Sequence, residues 1–306
     1  MAFLFAGQGA QYTGMGLSLY ETSPAARAVF ALADEARAGT SAQCFYGSKE
    51  ELSQTVNTQP CVFAVDLAAA RAMQENGVEP YAAAGFSLGE VAALTFAGAF
   101  SDIDGFRLVN KRAALMQAEA ERVPSGMAAI LKLDTERVEA LCGEFAGVYP
   151  VNYNCPGQVV VSGEKAALEA FMKKVTEQGG KALPLPVNGG FHSPFMEGAA
   201  KAFFTELSSY TFQPPVCRIF SNLTAEPYAP PYAQTLSRQI ESPVLWQKTI
   251  EALLKQGVDT FIEAGPGKTL AGFVKKIAPE AAAYSVQDAQ SLMETLDALK
   301  AGGTDA

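Results

Sequence analysis

Short apolar runs alternate with longer helical stretches through the first third of the chain. Residues 2–6 and 81–84 are apolar runs of strand length, whereas 17–36, 59–75 and 88–96 are predicted to be helices, with apolar residues at helical spacing in the second. This alternation is typical of an α/β protein with a parallel sheet, whose functional sites lie at the carboxyl ends of the strands. The pattern therefore predicts that this part of the chain belongs to a large α/β subdomain.

The middle of the chain has a different order of elements. After a helix at 103–120, the pattern predicts strands at 127–133, 151–153, 159–162 and 182–187 and helices at 136–145 and 168–177. The order βαββαβ is that of a ferredoxin-like unit. We therefore predict an inserted ferredoxin-like subdomain at 124–188, with 1–123 and 189–306 together forming an α/β-hydrolase-like large subdomain.

The final third returns to α/β order, with strands predicted at 216–221 and 260–263 and a helix at 244–256. The stretch 265–269 contains Gly-Lys-Thr, but Ile262 occupies the position of the first glycine of a phosphate-binding loop, so that interpretation is rejected. Residues 302–306 are predicted to fray.

Composition narrows the class of protein. The 306 residues are 49% hydrophobic and 18% charged, and the net charge of −9 argues against nucleic acid as a general partner. The five cysteines form no C-x-x-C pair, which favours reduced thiols over a disulfide framework or a zinc site. With neither a signal peptide nor a stretch long enough to span a membrane, we expect a cytoplasmic protein that does not associate with membranes.

A G-x-S-x-G pentapeptide at residues 85–89 lies between a predicted strand and a predicted helix. In a nucleophile elbow this context holds a serine on a strained turn with its hydroxyl exposed, and the following helix offers free N–H groups to an oxyanion. The motif alone is equally compatible with a structural turn. It makes Ser87 the candidate nucleophile.

His192 is the single histidine of the chain, so a serine mechanism based on histidine has no other candidate base. It lies in the glycine-rich stretch 188–194, just before a predicted helix start at Ser193 and Pro194. An unperturbed histidine is mostly neutral near pH 7 and can accept a proton. The alternative is a hydrogen-bonded structural histidine.

Two further features are ambiguous by themselves. The loop at 7–11 contains Gly-Gln-Gly, which lets backbone approach a ligand, but the glycine content alone favours an ordinary turn between a strand and a helix. Arg112 lies on a predicted helix, where most arginines are solvated surface charges.

Taken in order, six motifs resemble one family. They are the loop at 7–11, the elbow followed by Glu90, Arg112 before residues 127–129, the segment 152–154, residues 191–193 and the segment 265–268. The series resembles the malonyl-CoA:acyl carrier protein transacylases of fatty acid synthesis and the related acyltransferase domains of polyketide synthases. The resemblance covers nearly the whole chain.

The resemblance implies roles for the matching positions. Ser87 would take the malonyl group as an ester, His192 would act as base and then as acid, and Arg112 would bind the malonyl carboxylate through its guanidinium fork. In supporting roles, the backbone N–H groups of Gln8 and Leu88 would form the oxyanion hole, and the main-chain carbonyl of Gln239 would orient the histidine.

Other positions bear on substrate and partner. The resemblance places Asn154 among the substrate-binding residues, and the bulk of Phe191 would favour malonyl over methylmalonyl groups. Phe86 stands where a histidine is common in the family. Because carrier proteins are acidic, a local basic patch is expected, with Lys275 and Lys276 as the candidates.

We therefore expect an acyltransferase that moves malonyl groups from malonyl-CoA to acyl carrier protein by a ping-pong mechanism. It would act as a monomer without metal or cofactor, with coenzyme A entering as the carrier of the substrate. Alternatives are a stand-alone polyketide acyltransferase, a serine esterase or thioesterase, and a binding protein on a decayed acyltransferase fold.

Overall fold

The computed structural model describes residues 1–302, and two β-sheets organise it. The strands are β1 Ala2–Phe5, β2 Ala82–Gly85, β3 Ser125–Leu131, β4 Val148–Cys155, β5 Gln158–Glu164, β6 Lys181–Pro184, β7 Arg218–Phe220, β8 Thr260–Ala264 and β9 Ala282–Val286. The helices are α1 Leu17–Thr22, α2 Pro24–Ala36, α3 Thr40–Tyr46, α4 Lys49–Leu52, α5 Thr55–Glu75, α6 Gly89–Phe96, α7 Asp102–Arg122, α8 Thr135–Gly143, α9 Lys165–Glu177, α10 Glu197–Leu207, α11 Tyr232–Arg238, α12 Trp246–Lys255, α13 Thr269–Ile277 and α14 Ala289–Gly302.

The large sheet is parallel, with the strand order β7-β2-β1-β8-β9. Side chains of its central strand alternate between two apolar cores: Phe3 and Phe5 belong to one, whereas Ala2 and Leu4 belong to the other. A parallel sheet is normally covered on both faces in this way. Phe5 pairs with both Gly85 and Ala264, so the carboxyl ends of β1, β2 and β8 meet at one edge.

The small sheet has the order β4-β5-β3-β6, and every neighbouring pair in it is antiparallel. If the four strands are numbered 1 to 4 along the chain, from β3 to β6, the order read from β6 is 4-1-3-2. This is the strand order of a ferredoxin-like sheet. It has its own core, in which Ile130 and Val161 pack with Phe171 of α9. The predicted fold class is therefore confirmed, whereas the exact boundaries 124 and 188 stay a prediction.

Some predicted elements differ in extent. A single helix over 17–36 was wrong: the chain breaks at Ser23, which is extended because Pro24 follows it, and the Ser23 hydroxyl then accepts a hydrogen bond from the Ala26 N–H to cap α2. Helix α5 begins at Thr55, before the predicted start, and tolerates Pro60 inside it. Fraying was predicted for residues 302–306. Gly302 is the last residue of α14, and residues 303–306 lie outside the described part of the chain.

Among residues 1–302, we find no helix that combines the length and the apolar character needed to cross a membrane.

Candidate active site

Ser87 lies on the sharp turn between β2 and α6. Its φ of 56° is in the left-handed region, which a non-glycine residue rarely adopts. The flanking glycines are required by close packing, because a Cβ at Gly85 would lie 1.8 Å from the carbonyl oxygen of Gly89, and one at Gly89 would lie 2.3 Å from that of Phe5. Strand, strained serine and helix together have the geometry of a nucleophile elbow.

His192 meets Ser87 across the edge of the large sheet. Its Nε2 lies 2.7 Å from Ser87 Oγ, and its Nδ1 lies 2.9 Å from the carbonyl oxygen of Gln239. A carbonyl can only accept, so Nδ1 carries the proton and Nε2 is free to accept the serine proton. The backbone N–H of His192 also donates to the carbonyl of Ile240 at 3.1 Å, which fixes the loop.

The electrostatic surroundings keep this imidazole neutral. Burial, reinforced by the nearby Arg112 cation, lowers the pKa of His192 to about 4. The value of an unperturbed side chain, assumed in the sequence analysis, therefore does not apply. A neutral ring at physiological pH is the state that can accept a proton from serine.

Arg112 is fully buried, contrary to the usual behaviour of a helical arginine. Its Nη1 donates to Gln59 Oε1 at 2.8 Å, and its Nη2 donates to Gln239 Oε1 at 2.8 Å and to Ser87 Oγ at 3.2 Å. Its Nε has no partner, and no carboxylate within residues 1–302 forms a salt bridge with it. Burial lowers the pKa of Arg112 to about 10, so it stays charged near pH 7.

The structure adds three residues that the sequence analysis did not assign to the site. Asn222 Oδ1 accepts the N–H of Ser87 at 2.8 Å, and its Nδ2 donates to the carbonyl of Gly85 at 2.7 Å. The buried carboxylate of Glu90 accepts the N–H of Asn222 at 2.9 Å and the hydroxyl of Tyr228. A sequence signal existed for one of them, since Glu90 is the sole charged residue in the segment 88–96, which is otherwise apolar except for Thr95.

Gln8 and Leu88 present backbone N–H groups near the elbow. Within residues 1–302, neither N–H donates a hydrogen bond. Leu88 immediately precedes α6, and the loop of Gln8 is pressed against the elbow, because a Cβ on Gly7 would lie 2.8 Å from the carbonyl oxygen of Phe86. Two unpartnered donors beside a nucleophile are what an oxyanion hole needs.

A cavity of about 210 Å³ opens beside the elbow, between the loop at 7–10 and the small sheet. Phe86 forms part of its wall and packs edge-on against Trp246, with the ring centroids 5.4 Å apart. Asn152 and Asn154 line the opposite side, and the Oδ1 atom of each is buried without a hydrogen-bond partner. The predicted substrate residue Asn154 therefore does lie at the cleft.

The remaining candidates, Phe191 and the two lysines, do not line the cavity. Phe191 is buried in the large core with Met127, and it is not one of the residues that line the cavity. Lys275 and Lys276 are exposed at the end of α13, and the ammonium of Lys275 donates to the carbonyl of Ala281 at 2.6 Å. The carrier patch and the role of Phe191 stay predictions. Within residues 1–302, no three His, Cys, Asp or Glu side chains are grouped as metal ligands.

Comparison with known proteins identifies the family. The model of the acyl transferase domain matches residues 2–294. The chain belongs to this family. This acyltransferase is similar to the malonyl CoA-acyl carrier protein transacylase of Bacillus subtilis (strain 168). The two are 38% identical over 311 residues, which cover 98% of this chain and 97% of that protein. The resemblance inferred from the six motifs is therefore confirmed.

Solved structures give the same result for this acyltransferase. The malonyl CoA-acyl carrier protein transacylase from Clostridium perfringens superposes with a TM-score of 0.95 at 38% identity, covering 99% of this chain and 98% of that one. A malonyl-transacylase in complex with a type II polyketide synthase acyl-carrier protein superposes with a TM-score of 0.93 at 36% identity, covering 97% and 98%.

Proposed function

We propose that this acyltransferase transfers the malonyl group from malonyl-CoA to the phosphopantetheine thiol of an acyl carrier protein, through a malonyl ester on Ser87. The relatives with this activity in their names span nearly the full length of the chain, which supports the proposal. Coenzyme A serves as the substrate carrier, and the enzyme works in the cytoplasm as a monomer.

The observation that carries the choice of acyl group is that no carboxylate within residues 1–302 contacts the buried guanidinium of Arg112. A buried guanidinium without a carboxylate partner is costly, and a substrate carboxylate would supply the missing anion. Because Arg112 Nη2 lies 3.2 Å from Ser87 Oγ, an acyl group bound there has its carboxylate near the nucleophile. Malonyl carries a carboxylate two bonds from its thioester carbon, whereas acetyl carries none.

The first half-reaction uses the contacts around Ser87. His192 Nε2 removes the hydroxyl proton while Oγ attacks the thioester carbon, and the N–H groups of Gln8 and Leu88 receive the developing oxyanion. The carbon–sulfur bond then breaks, and the departing thiolate takes the proton from His192. The products are the malonyl ester and free coenzyme A.

The second half-reaction runs the same steps with a different thiol. The phosphopantetheine thiol gives its proton to His192 and attacks the ester carbon, and Ser87 leaves and regains the proton. A histidine oriented by a carbonyl, with a low pKa, is a weak base that suffices for thiol exchange. This supports transfer over hydrolysis, which distinguishes the proposal from an esterase or thioesterase.

The cavity next to the elbow is the proposed route for the pantetheine arm. Asn152 and Asn154 offer unpartnered amide oxygens that could accept its amide N–H groups, and Phe86 would contact its carbon chain. A carrier from polyketide synthesis remains a second candidate partner, because a structural relative is bound to one.

Intact-protein mass spectrometry after brief mixing with malonyl-CoA tests the proposal. We expect a malonyl adduct on the wild type that is absent from Ser87→Ala and is discharged by acyl carrier protein. Release of free malonate without a transferable adduct would support the hydrolase instead. Absence of both adduct and turnover would support a binding protein. Supplying fatty-acid and polyketide carriers in separate discharge reactions identifies the preferred partner.

A further inference from the structure

Two buried charges in the site are joined through one neutral side chain. Gln239 Oε1 accepts from Arg112 Nη2 at 2.8 Å, and Gln239 Nε2 donates to Glu90 Oε2 at 3.2 Å. Both Arg112 and Glu90 have no exposed surface. Glu90 is therefore a carboxyl group whose charge acts on this guanidinium, but the side chain of Gln239 lies between them.

The hydrogen bonds around Glu90 fit an ionised carboxylate. Its Oε2 accepts from the Asn222 N–H and from Gln239 Nε2, and its Oε1 accepts from the hydroxyl of Tyr228. Burial opposes this state and raises the pKa of Glu90 to about 7, although Tyr228, Asn222, Gln239 and Arg112 counteract it. Burial therefore opposes the ionised state that the hydrogen bonds favour, so a further anion near this network can shift Glu90 to its protonated form.

The proposed function supplies that charge. A substrate carboxylate on Arg112 would place a second anion beside the same cation, and like charges in a buried site favour protonation of one of them. Glu90 could accept the proton without breaking its network. The Tyr228 hydroxyl, which also contacts Ser221, would rotate to accept from the protonated Glu90 and to donate to Ser221.

We propose that Glu90 is a positioning residue that balances the charge of Arg112 in the empty site and takes up a proton when a substrate carboxylate pairs with Arg112. The inference rests on the proposed role of Arg112. If it holds, the binding of a carboxylate-bearing acyl group depends on protonation of Glu90, whereas the binding of a neutral acyl group does not.

The other charged or titratable groups near this pair are few. Within residues 1–302, Arg112 is the group whose charge acts on Glu90, and Tyr228 is the titratable side chain that hydrogen-bonds to it. His192 also interacts electrostatically with Arg112, so it is the competing acceptor of a proton. A variant that removes only the Glu90 carboxyl group separates these two possibilities.

Calorimetry of malonyl-CoA binding at pH 8, in buffers of different ionisation enthalpy, counts the protons directly. Ser87→Ala serves as the background because it cannot be acylated. We expect uptake of about one proton in this background and none when Glu90→Gln is added, since glutamine imitates the protonated side chain. Glu263→Gln is the matched control, because Glu263 is similarly buried, has a pKa also raised to about 7 and lines the cavity, but makes no contact with Arg112. This variant should keep the uptake, and loss of uptake in it would assign the proton to Glu263 and contradict the inference.

The pH profile gives a second readout that a structural role would not produce. In the Ser87→Ala background, malonyl-CoA affinity should fall as pH rises above about 7, by up to tenfold per pH unit. Adding Glu90→Gln should flatten this slope, so that the glutamine variant binds more tightly than its background at pH 9. Acetyl-CoA affinity should show no such slope.

Each outcome separates the inference from the proposed function. If malonyl-CoA binds more tightly than acetyl-CoA but without proton uptake, or with uptake that survives Glu90→Gln, the inference is wrong and the role of Arg112 stands. If glutamine weakens malonyl-CoA binding equally at all pH values, Glu90 is merely structural. If malonyl-CoA binds no better than acetyl-CoA in the Ser87→Ala background, the role of Arg112 fails first.

Discussion

The two walls of the active-site cleft differ in how completely their polar groups are satisfied. On the wall formed by the large sheet, the side chains of His192 and Asn222 are hydrogen-bonded within the protein. On the wall formed by the small sheet, the amide oxygens of Asn152 and Asn154 are buried without partners. Some groups of the first wall share the incompleteness of the second. Within residues 1–302, no carboxylate contacts the guanidinium of Arg112 and its Nε is unpaired, Glu263 Oε1 has no partner, and the N–H groups of Gln8 and Leu88 donate no hydrogen bond.

This difference separates two kinds of function in one site. Hydrogen bonds that are already made hold Ser87 and His192 in left-handed backbone conformations that cost on the order of 1–3 kcal/mol each. Groups that are left unpaired are costly until a ligand satisfies them, so they mark where substrate is expected. We therefore propose that the satisfied wall performs the chemistry and that the unsatisfied groups recognise the substrate.

The largest effect is expected at the base. His192→Asn should lower the rate of malonyl loading by about 10²- to 10⁴-fold, because it removes the proton acceptor for Ser87. Asparagine tolerates the left-handed conformation found at this position, so the backbone is retained. Stopped-flow loading with malonyl-CoA measures the rate, and a loss below tenfold would contradict the assigned role.

Stability should distinguish the two walls next. Asn222→Ala leaves the N–H of Ser87 and the carbonyl of Gly85 without their partner, so the free energy of unfolding should fall by about 2–4 kcal/mol. Asn152→Ala removes an amide oxygen without a partner and should cost about 1 kcal/mol or less. Urea denaturation measures both. Equal losses would remove the proposed distinction between the walls.

For malonyl-CoA binding, we expect the wall formed by the small sheet to matter more than it does for stability. Asn154→Ala should raise KM for malonyl-CoA by about 2- to 10-fold with little change in kcat, because a neutral hydrogen bond contributes about 0.5–1.5 kcal/mol. Gln158→Ala is a comparison within the same cavity: Gln158 accepts from Asn154 Nδ2 at 2.9 Å, and its truncation leaves the unpaired Asn154 Oδ1 in place. A fall in kcat at constant KM would place Asn154 on the catalytic side.

An effect no larger than that at Asn154 is expected at the carrier patch. Charge reversal at Lys275 and Lys276 should raise KM for acyl carrier protein by about 2- to 10-fold, more at low salt, and spare KM for malonyl-CoA. Lys276→Glu alone should account for most of this, because the ammonium of Lys275 is already bonded to a backbone carbonyl. An equal change for both substrates would show that the patch is wrong.

Local sequence patterns predicted the strands, helices and subdomains better than the hydrogen bonds of the active site. The elbow could be anticipated because two glycines and a serine must occupy fixed positions in one short turn, and the ferredoxin-like unit because its order of strands and helices is distinctive. The break at Ser23 needed attention to one proline. Asn222 could not be found, since a single asparagine after a short strand carries no signal until the strand pairs beside β2.

Local sequence patterns also could not predict the burial and pKa of charged groups, because both depend on long-range contacts. The burial of Arg112 depends on partners from α5 and from the segment after α11, brought together only by folding. The pKa of His192 likewise depends on that arginine. The carbonyl orienter Gln239 came from family resemblance, because a backbone carbonyl has no residue signature.

The central claim is that Arg112 selects a carboxylate-bearing acyl group. The most direct test compares the rates of loading from malonyl-CoA and acetyl-CoA in the wild type and in Arg112→Ala, followed by rapid-quench mass spectrometry. We predict that the malonyl-to-acetyl rate ratio falls by about 100-fold or more in the variant, with acetyl loading retained or increased, because only malonyl loses an ion pair. A proportional loss of both rates, leaving the ratio unchanged, would contradict the claim.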